Sequence, residues 1–382
     1  MKLLMNACAL AAVALGAWGH ASAQIEVRTA PIHAVPADPD EDQTAPADNR
    51  AGESLRRGRS DQAVAAITQA PAMSQPLLSP QEDAFFVALG HRVTDAAAAY
   101  EAYVIAASAI DARFTDARSV QSALNVAESY NAGQLQEGAI AYAAVLALRS
   151  EDFVDGVRSH TGDSTLTDRL IANPDEVYRF HGADSAAQDV AAVMQAHADA
   201  VKAAGRAISG AAYSVQHQPW SRDAVAEPEK VLAGAKASAL KLAAADARAK
   251  RRLLDSIGAA SSVPGAGVTR SAEVTRGLAL AAVAVLGSTG DAQESRFEPL
   301  LRDLRNADCL QMAKMNLNQC LAVAGPQYED VFCMGRHAVG ETAECLVSAV
   351  GDDQSPQGAR TAELDGYGAE RAEAYGEPPR GN

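Results

Sequence analysis

From Ser79 onward, apolar residues recur at three- and four-residue steps, with Phe85, Phe86, Leu89, Val93, Tyr100, Val104 and Ile110 falling on one side of a helix. That stripe predicts a helix facing a core. The same period predicts further helices at about 116–131, 135–149, 151–159, 165–172, 184–217, 228–256, 271–287, 299–323 and 327–349. Good helix formers such as Ala, Leu, Glu, Gln and Arg dominate, and alternating β-branched stretches are missing, so no strand is expected. The apolar run Leu278–Leu286 is half the length of a membrane span and predicts a buried core helix.

Three segments carry N-terminal signals. Ser79-Pro80-Gln81-Glu82 reads as a capping box with proline in the first turn. Asn173-Pro174-Asp175-Glu176 repeats that arrangement, and Asp184-Ser185-Ala186-Ala187-Gln188 offers a Ser-x-x-Gln cap at the head of the 184–217 helix, which Pro219 closes. The fold class expected is all-α: a multi-helix array with a disulfide-stapled C-terminal helical hairpin. Alanine fills many of the helix faces, so close approach of helix axes is to supply the burial. No motif recurs at the constant 34–47-residue spacing of a helical solenoid.

The ends read differently. Met1-Lys2, an apolar stretch from Ala7 to Trp18 and Ala21-Ser22-Ala23 have the layout of a secretory signal peptide, with cleavage expected after Ala23. Residues 24–60 are Pro-rich and acidic and predict a disordered linker, and residues 351–382 predict a disordered tail. Between them lie an Ala-rich helical domain at 61–257, a linker at 258–270 around Pro264-Gly265-Ala266-Gly267, and a C-terminal helical region at 271–350. The expected location is the periplasm or the extracellular space, with no membrane span once the leader is removed.

Four cysteines remain beyond the leader, and four allow three connectivities. The helices at 299–323 and 327–349 flank the turn Ala324-Gly325-Pro326. Facing positions of an antiparallel hairpin have a nearly constant sum of residue numbers, and the nested pairs Cys309–Cys345 and Cys320–Cys333 meet that condition to within one residue. Cys309 and Cys320 are eleven residues apart, about three turns, and share a face. The twelve-residue spacing of Cys333 and Cys345 is off by about 100°, which requires a local distortion at Gly335 or Gly340. Disulfides fit an oxidising compartment. Cys333 and His337 stand four apart on a helix, but the other cysteines lack the C-x₂₋₄-C spacing of zinc sites, so no metal is expected. The hairpin resembles the twin-cysteine coiled-coil-helix-coiled-coil-helix type as an architecture, although that type separates the cysteines of each helix by nine residues rather than the ten and eleven found here.

The formal charge is −15, or −16 without Lys2, the single charged residue of the leader. A nucleic-acid surface needs clustered Lys and Arg, and the one dense basic run, Arg248 with Lys250-Arg251-Arg252, falls on an amphipathic helix as a solvated face. No nucleic-acid partner is expected. Ser238-Ala239-Leu240-Lys241 matches the S-x-x-K of penicillin-binding enzymes without its companion elements. Gly265-Ala266-Gly267 lacks the strand and third glycine of a dinucleotide loop. His91, His160, His181, His197, His217 and His337 form no H-x-x-x-H pair, so neither cofactor nor metal is called for.

Glu128-Ser129-Tyr130-Asn131-Ala132-Gly133 resembles the catalytic Glu-Ser motif of lysozyme-like lytic transglycosylases, helical enzymes acting on peptidoglycan. The resemblance implies Glu128 as general acid, its pKa raised by an apolar pocket. The downstream Gly-Leu-Met-Gln element of that family is replaced by Glu137-Gly138-Ala139-Ile140-Ala141-Tyr142. The plainer reading makes Glu128 an exposed helix residue near a C-cap at Gly133. The leading expectation is therefore a non-enzymatic exported scaffold whose partner is an envelope protein or the cell wall. Met312, Met315, Tyr328, Phe332 and Met334 exceed what two short helices need for their own contact and mark the hairpin as the partner-facing element. A peptidoglycan glycosidase using Glu128 is the alternative, and a small-molecule carrier enclosed by the helices is a third.

Overall fold

A computed structural model describes residues 78–237, 245–259 and 270–351. The expected leader at 1–23, the 24–60 segment, the tail beyond residue 351, and the Ser238-x-x-Lys241 and Gly265-Ala266-Gly267 motifs lie outside the described residues. Within them the chain is all-α. The helices are α1 (Pro80–Leu89), α2 (His91–Ser108), α3 (Ala117–Ala127), α4 (Ala132–Ala147), α5 (Glu151–Arg158), α6 (Leu166–Ala172), α7 (Ala183–Val215), α8 (Pro228–Ala237), α9 (Ala247–Ala259), α10 (Ala272–Val285), α11 (Glu294–Phe297), α12 (Leu304–Val323), α13 (Gln327–Cys333) and α14 (Thr342–Val350). Short 3₁₀ turns occur between some of them, and a π-helical segment, Met334–Glu341, joins α13 to α14.

The first stripe is core, but not on one straight helix. Phe86, Leu89, Val93, Tyr100 and Val104 are buried, while the chain breaks between α1 and α2 at Gly90, whose φ of +80° a side chain would strain. A Cβ there would also stand 2.4 Å from the carbonyl oxygen of Thr289. The Ser79 capping box forms as expected: Glu82 N donates to Ser79 Oγ at 3.3 Å, and Ser79 N donates to Glu82 Oε2 at 2.7 Å.

The other two caps do not form. Asn173 makes no capping bond; proline after it drives it to an extended φ of −141°, and a six-residue 3₁₀ turn follows at Pro174–Arg179. The long helix α7 begins one residue early, at Ala183, so Ser185 lies inside its first turn. Its N-cap is Gly182 at φ +76°, packed so tightly on Asp152 and Phe153 that a Cβ would meet Phe153 N at 2.5 Å. The helix expected at 228–256 is divided into α8 and α9, since Asp246 caps α9 by accepting from Ala249 N at 2.8 Å. Likewise α12 starts at Leu304, not at 299, because Asp303 accepts from the amides of Arg305 (2.8 Å) and Asn306 (3.2 Å).

Two helices, α4 and α10, are apolar nearly all round and lie at the centre. They pack on each other, with α2 and α12 also on α4. One contiguous hydrophobic cluster runs from Phe86 through Val350 and includes residues from both sides of the 258–270 segment. Of the basic run, Arg248 and Arg252 are exposed, whereas Arg251 pairs with Glu82 at 2.7 Å and Lys250 sits over the Phe86 ring. Among the described residues, no helix is long and apolar enough to cross a membrane.

Candidate functional site

The hairpin forms as an integral layer of the molecule. Its first arm, α12, lies on α4, and its second arm, from α13 to α14, lies along α7. Both cystines are made, Cys309–Cys345 with Cα atoms 5.7 Å apart and Cys320–Cys333 with Cα atoms 5.6 Å apart. The distortion demanded by the twelve-residue spacing is the π segment Met334–Glu341, which contains both Gly335 and Gly340. A π turn holds one residue more than an α turn, so the surplus residue is taken up without rotating Cys345 off the shared face. The glycines also let the segment lie against α7, where a Cβ on Gly335 would meet Ser209 N at 2.5 Å and one on Gly205 would meet Gly340 N at 2.9 Å. The turn is tied down by backbone bonds from Val225 N to Gly325 O (2.9 Å) and from Gln327 N to Asp223 O (3.2 Å).

The inner face of α12 is set by Asn306, Leu310, Ala313, Lys314, Leu317 and Leu321, all buried. Lys314 is only 8% exposed. Its ammonium donates to the carbonyls of Glu128 (2.9 Å) and Tyr130 and lies 4.5 Å from the centre of the Tyr130 ring. Tyr130 in turn bonds Thr342 of α14 at 2.7 Å and meets Tyr103 edge-on at 4.8 Å. Burial pushes the Glu128 carboxyl up to about 7 against the pull of Lys314, and burial pushes Lys314 down to about 8 against the pull of Glu128. Beside them, Asn316 and His337 bond Glu341 at 2.8 and 2.9 Å. Burial tends to raise the Glu341 carboxyl, and those two bonds bring it below its usual range.

Glu128 is thus neither exposed nor near a helix C-cap glycine. It is 1% exposed, and Gly133 belongs to the first turn of α4, which Asn131 caps by accepting from Gln134 N at 3.2 Å. Its carboxyl does have the raised acidity that a general acid needs. The turn that carries it is packed by Lys314, which leaves the carboxyl 1% exposed.

The solvent face of α12 is different. Leu304 is 74% exposed, Met312 52%, Met315 42% and Val323 83%, and Phe332 on α13 is 38% exposed. At 100° per residue, the four α12 side chains fall within roughly a quarter to a third of the helix circumference. Tyr328 is half-buried against the core, and Met334 is fully buried. Of the five side chains expected to face a partner, Met312, Met315 and Phe332 are therefore outside, whereas Tyr328 and Met334 anchor the hairpin. Leu304 and Val323 join the stripe; their spacing from Met315 and Met312, eleven residues in each case, is a three-turn signal that the sequence carries. Cys333, four residues before His337, is a half-cystine, and His337 bonds Glu341. Among the described residues no three His, Cys, Asp or Glu side chains are grouped to hold one. No protein-family model, curated protein or solved structure matches this chain.

Proposed function

We propose that this chain is an exported, non-enzymatic scaffold of the cell envelope that binds a protein partner through the solvent face of its cystine-braced hairpin. The observation that carries this reading is the run of Leu304, Met312, Met315 and Val323 along one exposed face of α12, with Phe332 next to the hairpin turn. Large apolar side chains grouped on a surface mark association sites, and methionine adapts its shape to a partner better than branched side chains do. Two cystines tie α12 to α13 and α14, and Lys314 ties it to the turn before α4, so little ordering entropy remains to oppose binding. Two cystines also support a compartment outside the reducing cytosol, in keeping with the leader-like residues 1–23.

A photo-reactive amino acid placed at Met312 or Met315 tests the reading in intact cells. It should crosslink one envelope protein, the product should vanish when the cystines are removed, and the same probe at exposed Val87 on α1 should give none. Equal labelling from all three positions would sink the proposal. So would clearing of a peptidoglycan gel by the wild type that is lost in Glu128→Gln, which would restore the glycosidase reading.

A further inference from the structure

A cavity of about 580 Å³ opens between α10, the turns at 294–301 and the first turn of α12, and its wall includes Arg276, Glu298, Arg302, Asp303, Leu304 and Arg305. We propose that it binds a small ligand bearing an oxyanion group, a carboxylate or a phosphate, through Arg276, Arg302 and Arg305. The volume falls within the range of ordinary small-molecule sites, about 300–1,000 Å³. Three guanidinium groups around one cavity run against the charge of a chain at −15 overall, and planar forked donors match the two oxygens of a carboxylate or phosphate.

Two carboxylates share the wall, one of them paired with Arg302, so Arg276 and Arg305 carry most of the positive charge open to a ligand. Glu298 pairs with Arg302 and lies 3.9 Å from Arg92, and Asp303 accepts from the two amides of the α12 N-terminus. Arg276 spends one donor on the carbonyl of Pro299 at 3.0 Å, out of the five that each guanidinium offers. Behind the wall, burial and then the nearby Asp303 push the Glu273 carboxyl up to about 8, so at neutral pH it adds little negative charge to repel an anion.

Titration calorimetry on the full chain at low ionic strength, with inorganic phosphate in one arm and succinate in the other, tests the site. One-to-one binding of either anion is expected. It should weaken roughly tenfold or more in Arg276→Gln and in Arg305→Gln, while Arg113→Gln, an exposed arginine paired with Asp111, leaves it unchanged. Binding of phosphate alone assigns a phosphorylated ligand, and binding of succinate alone or of both assigns a carboxylate-binding site. Arg305 is exposed, so that variant keeps the test sound if Arg276→Gln fails to fold. Absence of heat with both anions at about ten millimolar, an affinity too weak for a built site, overturns the proposal, as does an equal loss in Arg113→Gln.

Discussion

At the scale of the residue, burial decides the behaviour of the Glu128–Lys314 pair. The low-dielectric surroundings penalise both charged forms, and each group moves toward neutrality. Replacing Glu128 by Gln imitates the protonated acid and should cost less than about 1 kcal/mol in urea unfolding. Lys314→Met preserves the aliphatic stem but strands the carbonyls of Glu128 and Tyr130 that the ammonium now serves, and should cost about 2–4 kcal/mol. Equal losses in the two variants would show that Glu128 is held as a full anion and that this account is mistaken. Half of the pair was legible: the Glu-Ser motif drew attention to Glu128, though for its chemistry rather than its burial. Lys314 was the half not read, although it recurs at the step of Leu310, Leu317 and Leu321. A lysine at a core-facing position signals a buried cation with a partner.

At the scale of the element, the cysteine numbering alone places a distortion in the hairpin, because one surplus residue must either rotate Cys345 away or be absorbed. That the absorption takes the form of a π segment lying on α7 was not legible. The shift of hydrogen bonds leaves no mark in composition, and nothing in the period of a helix names the neighbour it will meet. The same limit explains the caps: Ser79 followed its local rule, whereas at Gly182 contact with α5 overrode the Ser185 signal. Two alanine substitutions separate close approach from mere helix propensity. Gly335→Ala should destabilise by about 1–3 kcal/mol, as overpacking does, since its Cβ would lie 2.5 Å from Ser209 N. Gly210→Ala, mid-helix in α7 with nothing within 4 Å, should stabilise by about 0.5–1 kcal/mol. Chemical unfolding of the two variants checks the contrast, and a neutral Gly335→Ala would mean the π segment and α7 are not in tight contact.

At the scale of the whole molecule, the continuous core gathers several ionisable groups away from water, and their titration sets how stability varies with pH. Glu273 is pushed up to about 8 by burial and then by Asp303, Glu128 up to about 7 by burial, and Asp330 up to about 6 by burial and then by Glu329. An acid whose folded pKa is raised keeps its proton in the native state over a range where the unfolded chain has released it. The native state then binds more protons, and stability falls as pH rises through that window. The window here runs from the ordinary carboxylate range to about 8. His197, lowered by burial, acts the other way below its usual value, and Lys314 does so between about 8 and 10.5, but three acids outweigh one imidazole between pH 5 and 8. The net loss over that interval should be on the order of 3 kcal/mol, or a fall in Tm of roughly 6–12 °C. Calorimetric melts at pH 5 and pH 8 read this directly. Repulsion within an acidic chain has the same sign, so Glu273→Gln supplies the separation: it removes the largest buried titration at the cost of a single charge, and should raise Tm at pH 8 while leaving Tm at pH 5 nearly unchanged. A variant whose melts move together at both values would assign the pH dependence to net charge and leave Glu273 without the role given to it here.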